Sequence, residues 1–189
     1  MTTTRRQEAS ILAYWEPYRN DVLRLANDAG IAVSPNSRRL LLSLQTLADN
    51  PKPQNLVLED TIELNTLLAF YATWWMMREA GSLAVVAVPS NLRRRWWENT
   101  TEKIVMSFPP HLSTHINLMS AGHIHIAEHA GWGMRMVQTE QEILVRRDQA
   151  PQLAIELGAQ DLPASLALPG LAGCHRLQTW GGMSGPAFD

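Results

Sequence analysis

The chain has 189 residues, of which 46% are hydrophobic, and its formal net charge is −2. This length and apolar content suit one globular domain and exclude an intrinsically disordered chain. The small net charge argues against a protein dominated by phosphate contacts. Cys174 is the only cysteine, so an internal disulfide is excluded and a reducing compartment is expected.

No segment of the sequence indicates export or membrane insertion. Residues 1–10 lack the apolar core of a signal peptide. The most apolar stretch, 64–77, is interrupted by polar residues and is too short to span a bilayer. We therefore expect a cytoplasmic protein without membrane contact.

Residues 1–50 are predicted to form an N-terminal helical extension. Apolar residues at helical spacing favour a helix over about 6–29, with a break or kink at Pro17. A second helix is predicted to begin near Asn36 or Ser37, either of which can act as N-cap, and to end near residue 50.

The remaining residues, 51–189, are predicted to form an α/β domain, because strands and helices alternate after the break at Pro51 and Pro53. Leu83–Val88 is an unbroken apolar run, typical of a parallel strand covered on both faces. The helix before this run is apolar on nearly every side, which predicts that Trp74 or Trp75 is buried. The predicted elements are strand Asn55–Leu58, helix Leu64–Arg78, strand Leu83–Val88, helix Leu92–Met106, a hairpin of His123–Ala127 and Met134–Val137, strand Ile143–Val145, helix Pro163–Leu171 and strand His175–Thr179.

Three stretches carry a family resemblance. They are NLVLEDTIELNTLLAFYATWWMMREAGSLAVVAVPSNLRRRWWEN at 55–99, EILVRRDQAP at 142–151 and LPGLAGCHRLQTWGGMSGPAFD at 168–189. In their order they resemble the N-terminal ATPase domain of phage terminase large subunits, the motors that package viral DNA. The resemblance implies a mainly parallel sheet flanked by helices, like that of P-loop NTPases, and a phage or mobile-element origin.

The motifs of nucleotide chemistry are degraded in these stretches. A phosphate loop needs glycines, a lysine and a Ser or Thr, but the matching residues 59–66 read EDTIELNT. Only Thr66 survives, and Asn65 stands where the lysine belongs. At the acidic strand, Asp148 stands at the magnesium-binding position, while Gln149 replaces the carboxylate and cannot act as a general base. The resemblance thus implies a vestigial nucleotide site at Thr66, Asp148 and Gln149, with no catalytic residues and no cofactor.

A domain of this kind is expected to act as a catalytically inactive binding module. Its partner would be another protein or protein complex, which it would serve as a packaging accessory or oppose as an inhibitor in the host cytoplasm. Arg146 and Arg147 are candidates for the partner surface, because ligand crevices of α/β sheets lie beyond the carboxyl ends of the strands. The alternative is that these arginines pair with Glu59, Asp60 or Glu63 and close the empty site.

Arg93, Arg94 and Trp97 are further partner-binding candidates, since arginine and tryptophan are enriched at interfaces. The same mixture of cations and aromatic rings would suit nucleic acid, which is the third functional alternative. However, consecutive arginines on a helix fan over about 200°. The competing interpretation is therefore that a tryptophan packs on the sheet while the arginines are solvated.

The second functional alternative is a metal-dependent enzyme. His111 and His115 are spaced for one helix face, and His123 and His125 for one face of a strand. Imidazoles so placed are ligands for transition metals. The opposing interpretation is that they are surface or packing histidines beside a loop.

Overall fold

The computed structural model describes residues 13, 15–78, 83–110, 123–129, 134–136, 153–161 and 174–181. The helices are α1 (15–19), α2 (Val22–Asp28), α3 (Pro35–Ala48), α4 (Ile62–Arg78) and α5 (Asn91–Ser107). The strands are β1 (Asn55–Glu59), β2 (Leu83–Val88), β3 (His123–His129), β4 (Met134–Met136), β5 (Leu153–Glu156) and β6 (His175–Trp180), and a single 3-10 turn covers Ala159–Asp161.

The described strands form one six-stranded sheet in the order β1-β6-β5-β2-β3-β4. All neighbouring strands are parallel except β4, which runs antiparallel to β3. Helices α4 and α5 pack against each other and against β2 and β3, so they cover the same face of the sheet. The predicted fold class, a mainly parallel sheet flanked by helices, is confirmed.

Most predicted elements of the α/β part are found within two residues of their expected ends. The strand Leu83–Val88 is found as predicted, and β3 and β4 form the predicted antiparallel hairpin. In chain order this agreement covers β1, α4, β2, α5, β3, β4 and β6, but not β5. The predicted strand Ile143–Val145 and helix Pro163–Leu171 lie outside the described residues.

The first predicted helix is interrupted later than expected. Pro17 lies among the helical residues of α1, and the break falls at Asn20 and Asp21. Asp21 is the N-cap of α2, where its side chain accepts a hydrogen bond from the Arg24 backbone amide at 2.9 Å. An amide that would otherwise lack a partner in the first turn is thereby satisfied, which favours starting a new helix at this point.

The N-cap of α3 is Ser34, not Asn36 or Ser37 as predicted. The Ser34 hydroxyl accepts from the Ser37 backbone amide at 3.2 Å, and Pro35 occupies the first position of the helix. Proline suits that position because its φ is already helical and its missing N–H would have no partner there.

Strand β5 lies in the centre of the sheet between β2 and β6, and it is missing from the predicted elements. The resemblance places the acidic strand at 142–151, which lies outside the described residues. The apolar signal for β5 is short and weak, because the four residues Leu153–Glu156 combine two strongly apolar residues with an alanine and a carboxylate.

Helix α4 lies at the centre of one continuous hydrophobic core. It packs on the sheet and also contacts α2, α3 and α5, which is why it is apolar on all sides. Trp74 and Trp75 are 1% and 6% exposed, so the predicted burial is confirmed. Side chains from the N-terminal helices, such as Leu25 and Leu44, belong to the same core. No helix among the described residues is both long and apolar enough to cross a membrane.

Candidate functional site

The carboxyl edge of the sheet is held together by hydrogen bonds between successive strand ends. The Asp60 amide donates to the Trp180 carbonyl at 2.9 Å, which ties the end of β1 to β6. The Gly158 amide donates to the buried Thr179 hydroxyl at 2.8 Å, which ties β5 to β6. These two amides are therefore already paired at the edge where an α/β domain ordinarily receives its ligand.

A buried ion pair occupies the space above this edge. Nη2 of Arg93 donates to both carboxylate oxygens of Asp60, at 2.6 and 2.8 Å. The side chains of Arg93 and Asp60 are only 5% and 1% exposed. Nδ2 of the buried Asn65 also donates to Asp60, at 2.8 Å. The pair joins Asp60, which follows β1, to the first turn of α5, which follows β2. In the sheet, strands β6 and β5 lie between β1 and β2.

The connection from β1 to α4 is too short and too fully bonded to form a phosphate loop. Only Asp60 and Thr61 separate the end of the strand from the start of the helix. The Leu64 amide donates to the Thr61 hydroxyl at 3.1 Å, and the Asn65 amide donates to the Thr61 carbonyl at 2.9 Å. A phosphate cradle requires several backbone amides that point at the anion, but two amides of this segment bond within it and the Asp60 amide bonds to Trp180.

Of the three residues expected at a vestigial nucleotide site, Thr66 lies within the described residues. The Thr66 hydroxyl donates to the Ile62 carbonyl within α4 at 2.9 Å. Asp148 and Gln149 lie outside the described residues. The sequence did point to Asn65, as the residue in the place of the lysine, but its partner Asp60 follows only from the fold.

The acidic residue Glu63 is used to fasten the N-terminal helices to α4. Its carboxylate accepts from the Ser37 hydroxyl at 2.9 Å and from the Ser34 hydroxyl at 3.2 Å. A negative group is favourable at the N-terminus of α3 because of the helix dipole. A shallow cavity of about 210 Å³ lies beside this contact, between the first turns of α3 and α4.

Two residues of the acidic loop have partners among the described residues. The partner of Asp60 is Arg93, and the partners of Glu63 are serines. Arg146 and Arg147 lie outside the described residues. Within the described residues, the cation paired with Asp60 is thus an arginine of α5.

Two of the remaining partner-binding candidates are buried, which corrects their assignment to a surface. Arg93 is held by Asp60, and Trp97 is 1% exposed within the core, because the first turns of α5 pack towards the sheet. Arg94 is half-buried and forms an i,i+4 pair with Glu98 at 2.9 Å. The competing interpretation, that a tryptophan of this segment packs inside, is confirmed by Trp97, but the solvated position that it gave to Arg93 is wrong.

A second buried carboxylate was not singled out from the sequence. Glu156, at the end of β5, is 2% exposed and accepts from Nη2 of Arg176 at 2.8 and 2.9 Å. Gln178 also donates to it, at 2.6 Å. The signal that would have found it is a lone carboxylate inside the apolar run Leu153–Leu157, because buried acids require partners. Arg176 and Gln178 both donate to the Glu156 carboxylate, so the three side chains form a structural cluster.

The histidine candidates give no described metal site. His123 and His125 lie two residues apart on β3, and His111 and His115 lie outside the described residues. Within the described ranges, no group of three or more potential ligands lies close enough to hold a metal ion.

His175 and Cys174 are both buried at the start of β6. Burial lowers the pKa of His175, and the hydrogen bond to the Asn50 carbonyl acts in the opposite direction. Nδ1 of His175 accepts from the Gln54 amide at 3.1 Å, so the neutral ring carries its proton on Nε2, which lies 3.0 Å from the Asn50 carbonyl. Burial also raises the pKa of the Cys174 thiol, which disfavours the reactive thiolate. Both residues therefore serve the fold.

Comparisons of the chain with protein-family models, with curated proteins and with solved structures gave no match.

Proposed function

We propose that the protein is a non-catalytic, ATPase-like binding module of phage or mobile-element origin that acts through contacts with another protein. The observation that supports this function is the Asp60–Arg93 ion pair, which closes the carboxyl edge of the sheet. A packaging accessory and an inhibitor of a host complex are the two roles that the resemblance suggests.

The chemistry of the closed edge supports the loss of nucleotide binding. An incoming triphosphate would meet Asp60 and, close by in sequence, Glu59 and Glu63. The guanidinium of Arg93 already binds the Asp60 carboxylate. Opening this pair would leave buried charges without partners, which costs several kcal/mol, of order 3–5, for each broken pair.

The nucleotide prediction is tested with purified protein and Mg-ATP. We expect no ATP hydrolysis and no rise in melting temperature, because a ligand that binds only the folded state must stabilise it. Thr66→Ala is the matched variant, since it removes the only hydroxyl that survives at the magnesium position. A rise in melting temperature with Mg-ATP that Thr66→Ala abolishes would show a working nucleotide site and refute the proposal.

The binding prediction is tested by affinity capture from infected and uninfected host lysates. The bait proteins are the wild type and the double charge reversal Arg146→Glu with Arg147→Glu. We expect the double variant to lose the partner while its melting temperature stays unchanged, because Asp60 and Glu63 have other partners. Equal capture by both baits would contradict the assignment of these arginines to the partner surface.

A further inference from the structure

Strand β1 is a terminal strand of the described sheet, where it pairs with β6 alone. Its residues Asn55, Val57 and Glu59 are exposed, and Val57 reaches 57% exposure. Leu56 and Leu58 point to the other face, where they are partly buried against the core. An edge strand with an exposed apolar centre is a template for another strand.

The backbone of β1 shows which residues offer hydrogen bonds at the outer edge. The Gln54 carbonyl accepts from Arg176, and the Asp60 amide donates to Trp180. Even-numbered residues of β1 thus bond towards β6, and because strand residues alternate, Asn55, Val57 and Glu59 direct their amides and carbonyls outward.

We propose that two copies of the chain pair through β1, antiparallel about a two-fold axis at Val57. The occupant of the edge is thus a second copy of this chain, in an isologous interface. The register places Val57 opposite Val57 of the second copy and Asn55 opposite Glu59. Each of these positions directs its backbone groups outward, so all three facing pairs exchange hydrogen bonds.

The sequence of β1 is self-complementary in this register. Each Glu59 faces a neutral Asn55 that can donate to it, and never faces the other Glu59, which would be destabilising. Leu56 and Leu58 face each other on the opposite side of the sheet and extend the core across the axis. A register shifted to an axis at Leu58 would set Glu59 against Val57, and one at Leu56 would set Glu59 against Pro53, which cannot donate a hydrogen bond.

The sheet adds apolar surface beside the axis. Trp180 pairs with Glu59 across β1 and β6 and is 45% exposed. It lies on the same face as Val57, since both belong to the set that alternates with the core-facing residues. Five residues from each copy make a small interface, so the expected dissociation constant is in the micromolar range.

The experiment measures the oligomeric state of the full chain by sedimentation equilibrium over about 1 to 500 µM, a range that brackets a micromolar constant. Two variants at one position separate this interface from any other. Asn55→Glu sets glutamates against each other at both symmetric positions, and we expect the dissociation constant to rise at least about tenfold. Asn55→Lys sets opposite charges together, and we expect the dimer to be retained or tightened.

A charge swap provides the rescue. The double variant Asn55→Glu with Glu59→Lys restores opposite charges in the same register, and we expect dimerisation to return. Hydrogen exchange supplies the second measurement: amides of 55, 57 and 59 should become more protected as concentration rises. We expect each variant to be folded, because these side chains are exposed. Circular dichroism checks this.

Two results would overturn the proposal. A wild-type chain that remains monomeric to the highest concentration would show that this edge has no second copy as occupant, and would leave it to a different protein. A dimer that responds equally to Asn55→Glu and Asn55→Lys would place the interface on another surface.

Discussion

The guanidinium of Arg93 donates to both oxygens of the Asp60 carboxylate, across a sheet edge where two other strands separate the elements that carry them. Their side chains are almost fully buried. A buried pair of this kind adds little net stability over an apolar substitute, but removal of one partner leaves an unpaired charge in the interior. The pair is therefore a sensitive test of the closed edge.

We expect Arg93→Met to lower the free energy of unfolding by about 3–5 kcal/mol, because Asp60 would remain buried without its guanidinium partner. Arg94→Met on the same helix is the matched control. Arg94 is paired with Glu98 at a partly exposed i,i+4 position, so its loss should cost less than about 1 kcal/mol. Urea titration of both variants measures the difference.

The double variant Asp60→Leu with Arg93→Met tests whether the cost comes from the unpaired charge. We expect it to be more stable than either single variant, because both charges are then removed together. Strict additivity of the two single effects would contradict a coupled pair and would assign each residue an independent structural role.

Trp74 should be among the most sensitive core positions. Its indole is 1% exposed and donates to the Tyr18 carbonyl at 2.7 Å, so it joins the N-terminal helices to α4. We expect Trp74→Ala to cost about 3–5 kcal/mol, through the cavity and the lost hydrogen bond. The control, Trp180→Ala, removes an indole that is 45% exposed and should cost less than about 1 kcal/mol. Similar costs at both positions would contradict the packing of α4.

His175 should make the stability of the protein depend on pH. Burial lowers its pKa in the folded state below the ordinary value of 6.5. Below pH 6.5 the unfolded chain therefore binds more protons than the folded one. The stability of the protein then falls as the pH is lowered, until the pKa of the folded state is passed. The stabilising contribution of the neutral ring is fully present above pH 6.5.

The measurement compares urea midpoints of the wild type and His175→Gln between about pH 7.5 and 5, a range that spans this transition. Carboxylates contribute equally to both proteins, so the difference between the two curves isolates His175. We expect the wild type to lose more stability on acidification than the variant. Parallel curves would show that His175 does not titrate differently in the folded state.

Local sequence patterns determined much of this fold. The apolar run of β2 is a buried strand because every residue from Leu83 to Val88 suits a strand covered on both faces. The uniformly apolar helix α4 is buried for the same reason, and Ser90 caps α5 because its hydroxyl accepts from the Arg93 amide. The absence of glycine and lysine from 59–66 was also visible, since it requires no structure to recognise.

The partners of the buried charges were decided by the tertiary structure alone. Asp60 and Arg93 are 33 residues apart, and no periodicity of one element relates them. Strand order likewise cannot be read from local patterns, because β5 enters between β2 and β6 late in the chain and carries a weak apolar signal. The physical reason is that hydropathy and capping act within one element. The pairing of buried charges depends instead on which side chains the fold brings together, with donor and acceptor atoms within about 3 Å of one another.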